Sequence, residues 1–132
     1  MTIPDILAEM RALLHIRADL LRRMKRAECA ATAAGGMGDG MPRGTPAEPR
    51  LQRVCVELAD LRAELADTEQ ELAVYRRKVA PEIGRMPAGT ARLMLRLRYL
   101  EWRTMAEVAR RTGYDYANAY RALRNAEKML GS

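Results

Sequence analysis

Hydrophobic residues recur every three or four positions along most of the chain, a spacing that predicts helices. The first helix is predicted from Ile3 to about Ala31, with Thr2 as its N-cap and Asp5 in its first turn. The second is predicted from Arg50 to Val79. It carries a heptad seam that one threonine interrupts, consisting of Leu51, Val54, Leu58, Leu61, Leu65, Thr68, Leu72, Tyr75 and Val79. No window alternates with the period of two that half-buried strands require, so the predicted fold class is all-α.

Glycine and proline residues separate the predicted helices. Eight of the fifteen residues from Gly35 to Pro49 are glycine or proline, which predicts a flexible connection between the first two helices. Pro81, Gly84 and Pro87 interrupt the pattern again. They predict a boundary between a first part, residues 1–86, and a terminal module, residues 87–130.

The two long helices each carry an apolar stripe that a single helix cannot bury. The connection between them is long enough for the first helix to fold back on the second, which predicts a long antiparallel hairpin with Leu65 at the centre of the contact. Cys29 and Cys55 lie at nearly equal distances from the middle of the connection, which favours two buried thiols that face each other. The alternative is a dimer formed through the second helix, and a hairpin whose outer face dimerises would satisfy both.

Charge is distributed unevenly along the chain. The net charge is +6, and residues 87–132 contain nine Lys and Arg against four Asp and Glu, which gives +5 for the last third alone. A basic terminal module indicates a polyanionic partner, most commonly nucleic acid. A solvated basic surface is the alternative.

The terminal module has room for three helices, and the first of them, about Thr90 to Glu101, is apolar on two sides. One side should pack against the two helices that follow, while the other needs the hairpin or a second subunit as its partner. The first face comprises Leu93, Met94, Leu97 and Leu100, and the second Leu95, Tyr99 and Trp102.

The second and third helices of the module carry clear start and stop signals. Thr104 followed by Glu107 forms a capping box, Gly113 suits the left-handed position that ends a helix, and Asp115 is the N-cap of a helix from Tyr116 to Leu130. That last helix has a small apolar face of Ala119, Ala122, Leu123, Ala126 and Leu130 and a polar face of Ala117, Asn118, Arg121, Arg124, Asn125 and Lys128. With Ala109 before the turn and Ala119 after it, the pattern predicts a helix-turn-helix.

Residues 88–130 resemble a known family at several short runs: Leu97 to Glu101, Ala106 to Ala109, Gly113-Tyr114, Ala119 to Arg121, and Ala126. These resemble region 4 of bacterial sigma factors, and most of all the small phage and prophage regulators of the ArpU/RinA type. The resemblance implies a transcription activator that reads promoter-like DNA. The chain departs from the family at Trp102, where glycine is usual, at Asp115, where serine or threonine is usual, and at Ala119 and Ala122, which replace larger aliphatic residues. It has no counterpart of the region that melts promoters, so a complete sigma factor is not expected.

The resemblance assigns the contacts to base edges to Tyr116, Ala117, Asn118, Tyr120 and Arg121. A helical plot supports Ala117, Asn118 and Arg121 for this role and puts the two tyrosines at the flank. The candidates for phosphate contacts are Arg103, Thr104, Arg110, Arg111, Arg124 and Lys128. Each of these side chains has the alternative of lying solvated on the surface.

The expected function is therefore a sequence-specific regulator of transcription that binds double-stranded DNA, encoded by a phage or prophage. Alternatives are a small terminase-like packaging protein and an adaptor that binds RNA polymerase or a sigma factor without DNA. We expect no enzyme, cofactor or metal, because the first 86 residues suggest no catalytic fold and His15 is the single histidine. A homodimer would form through the hairpin or the Leu95/Tyr99/Trp102 face. We expect a cytoplasmic, nucleoid-associated bacterial protein, because no run approaches the roughly 20 apolar residues of a membrane span.

Overall fold

The periodic apolar stripes of the sequence form helices in the computed structural model, which describes residues 1–36 and 47–131. Throughout these ranges the chain is all-helical and contains no strand, so the predicted fold class is confirmed. Most of the predicted Gly/Pro connection, residues 37–46, lies outside the described residues. The helices are α1 (Ile3–Gly36), α2 (Ala47–Gly84), α3 (Thr90–Leu95), which continues into a π-helical segment (Arg96–Leu100), α4 (Met105–Thr112) and α5 (Tyr116–Gly131).

The two long helices extend beyond their predicted ends. α2 passes through Pro81 and ends at Gly84, so the predicted break at Pro81 is wrong. Proline removes one helical hydrogen bond, but this one lies in the last turn. Val79 and Ile83 on either side of it are buried, and their burial favours continuing the helix. At the start of α1, the Thr2 hydroxyl accepts a hydrogen bond from the Asp5 N–H at 3.3 Å, and the Asp5 carboxylate accepts one from the Thr2 N–H at 3.2 Å, which confirms Thr2 as the cap.

One compact unit joins the first turns of α1 to the end of the chain. It comprises Met1–Leu14 and Glu71–Ser132, a division different from the boundary at residue 87 that the sequence predicts. Its core draws on every helix, including Leu7, Met10, Leu14, Leu72, Val79, Ile83, Met94, Leu95, Leu97, Tyr99, Val108, Ala119, Leu123 and Ala126. The terminal helices therefore share their core with residues far away in the sequence.

The second compact unit, His15–Gln70, contains the remaining turns of α1 and α2. Leu58, Leu61 and Thr68 of the predicted seam are buried in it, as the heptad pattern requires. The Thr68 hydroxyl tolerates burial because it donates to the Glu64 carbonyl at 2.9 Å. Leu65 is only half-buried, so its predicted full burial at the centre of the contact is wrong.

The two cysteines do not form the predicted pair of buried thiols, because both are exposed. Cys55 directly follows Val54 of the seam, and a step of one residue turns a helix by about 100°, away from the buried stripe. Cys29 is likewise two residues beyond the buried Ala27. Distance from the connection does not determine which face of its helix a residue occupies.

Candidate nucleic-acid interface

The two apolar faces of α3 and its π-helical extension are both buried, as predicted. Met94 and Leu97 on one face, and Leu95 and Tyr99 on the other, are each no more than 2 % exposed. All four belong to one core cluster with residues of α1 and α2. Leu95 and Tyr99 of the second face are therefore buried in the core of the chain itself.

Trp102 turns the chain between the π-helical segment and α4. Its φ of +56° is in the left-handed region, which glycine adopts without strain and a residue with a side chain rarely does. The guanidinium carbon of Arg76 lies 4.5 Å from the centre of the Trp102 ring, and Arg76 also donates to the Leu100 carbonyl at 3.3 Å. This stacking on a cation offsets part of the cost of about 1–2 kcal/mol that a left-handed conformation carries for a residue with a side chain.

Helix α4 begins and ends where its capping signals predict. The Thr104 hydroxyl accepts a hydrogen bond from the Glu107 N–H at 3.2 Å. At the other end Gly113 adopts a φ of +80°, and the N–H of Tyr114 donates to the Ala109 carbonyl at 3.1 Å. Val108 and Ala109 are buried, which sets the inner face of the helix. Two residues after Gly113, Asp115 caps α5.

The N-terminus of α5 is held by a double contact from Asp115. Its Oδ1 atom accepts a hydrogen bond from the Asn118 N–H at 2.8 Å, which confirms the predicted N-cap. Its Oδ2 atom accepts a second bond from the Asn118 side-chain amide at 3.0 Å, which helical spacing and capping rules do not predict. Both residues are exposed.

The two faces of α5 separate as predicted. The inner residues Ala119, Leu123, Ala126 and Leu130 are buried and Ala122 is half-buried, whereas Ala117, Asn118, Arg121, Arg124, Asn125 and Lys128 are exposed. Tyr116 is 55 % exposed and Tyr120 half-buried, which agrees with their predicted position at the flank. Their rings meet edge to face with centroids 5.4 Å apart. A hydrogen bond with Tyr120 raises the pKa of Tyr116.

The six phosphate candidates differ in how far they are committed within the chain. Arg103 donates to Glu107 at 3.1 Å and to Glu101 at 3.2 Å, and these bonds raise the pKa of its guanidinium. A phosphate would have to compete there with two carboxylates. The Thr104 hydroxyl is engaged as the cap of α4. The exposed basic candidates are Arg110, Arg111, Arg124 and Lys128.

A buried carboxylate on α5 was missed at the sequence level. Glu127 is 8 % exposed, and it accepts hydrogen bonds from the Tyr99 hydroxyl at 2.5 Å and from the Arg11 guanidinium at 2.7 Å. Burial, together with the hydrogen bond to Glu127, raises the pKa of Tyr99. The helical spacing could have indicated this burial, because Glu127 is four residues beyond Leu123 and therefore lies on the inner face of α5. The contact with Arg11 joins α5 to α1.

Other kinds of site find no support in residues 1–36 and 47–131. No group of three or more His, Cys, Asp or Glu side chains is arranged there to hold a metal ion. None of the helices in these ranges has the length and apolar character needed to cross a membrane. Comparison with protein-family models, with curated proteins and with solved structures finds no match.

Proposed function

We propose that this chain is a sequence-specific regulator of transcription that binds double-stranded DNA, with α4 and α5 as its helix-turn-helix and α5 in the major groove. The observation that carries the proposal is the division of α5 into two faces. Its inner face is small, apolar and buried, so α4 can pack closely against it. Its outer face exposes amide and guanidinium groups, the side chains that read base edges.

The exposed residues of the first two turns of α5 supply the base contacts in this proposal. Asn118 matches the donor and acceptor of adenine, Arg121 the two acceptors of guanine, and Ala117 the methyl group of thymine. Tyr116 and Tyr120 lie beside them, where they would contact the sugar-phosphate backbone or a neighbouring base. Arg110 and Arg111 at the end of α4, with Arg124 and Lys128 further along α5, hold phosphates.

The long helices form an antiparallel hairpin in the same proposal. Within His15–Gln70, buried Leu20 and Ala27 of α1 and buried Leu58 and Leu61 of α2 give each helix one apolar face. Arg17, near the start of this stretch, pairs with Glu69 near its end at 2.9 Å, as antiparallel helices require. The resemblance to phage and prophage regulators makes RNA polymerase a proposed partner. A homodimer, if one forms, would use the hairpin in this proposal.

Salt dependence of duplex binding tests the electrostatic part of the proposal. Full-length protein is needed, because the terminal helices share their core with Met1–Leu14 and the end of α2. Fluorescence anisotropy with a labelled duplex of random sequence should show affinity that falls steeply as salt rises. Replacing Arg111, which we assign to a phosphate, by alanine should lower the logarithmic salt slope by about one. Arg22→Ala removes the same charge from an exposed site in the other unit and should leave the slope unchanged.

A wild-type protein that does not bind duplex DNA at low salt would contradict the proposal. Binding to RNA polymerase or a sigma factor in the same buffer would then favour the adaptor function. Equal salt slopes for wild type and Arg111→Ala, with binding retained, would mean that Arg111 does not contact a phosphate, and would leave the rest of the proposal standing.

A further inference from the structure

We propose that Asp115 positions the Asn118 amide for adenine, so that these two residues together determine specificity at one base pair. The inference rests on the proposed DNA-reading function and adds to it a residue that does not itself touch the base. It starts from the second hydrogen bond at the N-terminus of α5, between Asp115 Oδ2 and Asn118 Nδ2 at 3.0 Å.

The chemistry of the two groups fixes which way the amide faces. An ionised carboxylate accepts hydrogen bonds and cannot donate them, so the amide atom that faces Asp115 must be the NH2 group. Rotating the amide by 180° would bring the carbonyl oxygen of Asn118 against the carboxylate, where the two oxygens repel. The other carboxylate oxygen is held by the backbone N–H of Asn118 at 2.8 Å, so Asp115 is itself fixed by capping the helix.

This orientation leaves the groups that adenine requires. The bond to Asp115 takes one of the two N–H groups of the amide, and the second N–H and the carbonyl oxygen remain for other partners. Adenine presents an acceptor at N7 and a donor at N6 in the major groove, which this pair complements. Guanine presents acceptors at both N7 and O6, so the carbonyl oxygen of the fixed amide would face O6 without a proton between them. The held amide therefore favours adenine over guanine.

Fixing the side chain before binding also raises affinity for the correct base. An unrestrained asparagine loses rotamer freedom when it docks, a cost that corresponds to about a threefold to tenfold loss of affinity. Asn118 is exposed, and the bond to Asp115 restrains it in advance. Serine caps a helix about as well as aspartate, but it has one side-chain oxygen where aspartate has two, so its cap leaves no second oxygen to hold the amide. Asp115→Ser therefore separates capping from positioning.

The test compares wild type, Asp115→Ser and Asn118→Ala on one selected duplex and on versions with adenine replaced by guanine at each position in turn. The measured quantity is the ratio of Kd values for guanine and adenine at fixed salt. We expect one position at which Asn118→Ala abolishes the wild-type preference and Asp115→Ser lowers it by about threefold to tenfold, with an unchanged unfolding midpoint. Losing the Asp115 charge should strengthen binding to all duplexes alike, which leaves the ratio unaffected.

A second variant keeps the test valid if serine caps poorly. Asp115→Asn preserves the shape and removes the same charge, but an NH2 group replaces one of the two oxygens that accept the wild-type bonds and cannot accept from the Asn118 amide, so the ratio should fall here too. An unchanged ratio in both variants, beside a loss in Asn118→Ala, would overturn this inference alone. A wild-type protein without duplex binding would overturn the proposed function as well.

Discussion

Replacing the buried Glu127 should destabilise the unit that carries the candidate interface. Glu127→Ala leaves the Tyr99 hydroxyl buried without an acceptor, which costs about 1–3 kcal/mol. It also removes the partner of Arg11, and breaking a buried ion pair costs about 3–5 kcal/mol when the remaining charge stays buried. The side chain of Arg11 is 32 % exposed and can regain water, so the lower part of these ranges applies. We expect a total loss of about 4 kcal/mol, the sum of the two lower ends.

Glu127→Gln separates the charge from the shape. The amide oxygen can still accept the hydrogen bond from Tyr99, so the loss should be smaller, about 1–2 kcal/mol. Combining Glu127→Gln with Tyr99→Phe should give less than the sum of the two single effects, because both changes remove parts of one network. Glu9→Gln provides the control, since Glu9 is exposed in the same unit and its replacement should stay within about 0.5 kcal/mol.

Urea unfolding followed by tryptophan fluorescence is the appropriate assay. Trp102 is the single tryptophan of the chain and belongs to the same compact unit as Glu127. The probe therefore reports on that unit even if the two units unfold separately. A Glu127→Ala protein within 0.5 kcal/mol of wild type would refute the reasoning, because it would mean that neither the Tyr99 hydroxyl nor Arg11 depends on this carboxylate.

Three further predictions concern stability. Because the pKa of Tyr99 is raised above its usual value of 10.0, the stability that this hydroxyl contributes is complete below pH 10 and is lost as the pH rises further. Tyr99→Phe should therefore make the decline of the urea midpoint between pH 9 and 11 shallower than in the wild type. An equally steep decline in both proteins would contradict this. Trp102→Ala should cost about 1 kcal/mol more than Trp102→Gly by circular dichroism, because glycine alone relieves the left-handed backbone; equal losses would show that no strain is stored there. Leu65→Ala should cost about 1–2 kcal/mol and Leu61→Ala about 2–5, following their burial; the reverse order would mean that the contact centres on Leu65.

Features that depend on neighbouring residues were predictable from the sequence. The caps Thr104 and Asp115, the left-handed Gly113 and the two faces of α5 all follow from side chains within one or two turns of each other. Helical periodicity also gave the buried seam of α2, because heptad spacing records which side of a helix is covered.

Features that depend on distant residues were not predictable in the same way. Nothing near Glu127 in the sequence indicates that Arg11 and Tyr99 would make its burial tolerable. The sequence showed that the second face of α3 needed a partner, but left open whether a hairpin or another subunit supplied it. The local cost of proline predicts a break at Pro81, whereas the burial of Ile83 two residues later favours continuing the helix.

The central claim, that the outer face of α5 reads DNA, is tested most directly by comparing Arg121→Ala with Lys128→Ala. Both side chains are exposed on that face, with Arg121 two turns closer to the N-terminus of α5. Binding is measured at fixed salt on a selected duplex and on a scrambled one. Arg121→Ala should cost about 1–3 kcal/mol on the selected duplex and relax one base preference, while Lys128→Ala should weaken both duplexes equally. If neither substitution changed binding to either duplex, α5 would not be the DNA-facing helix.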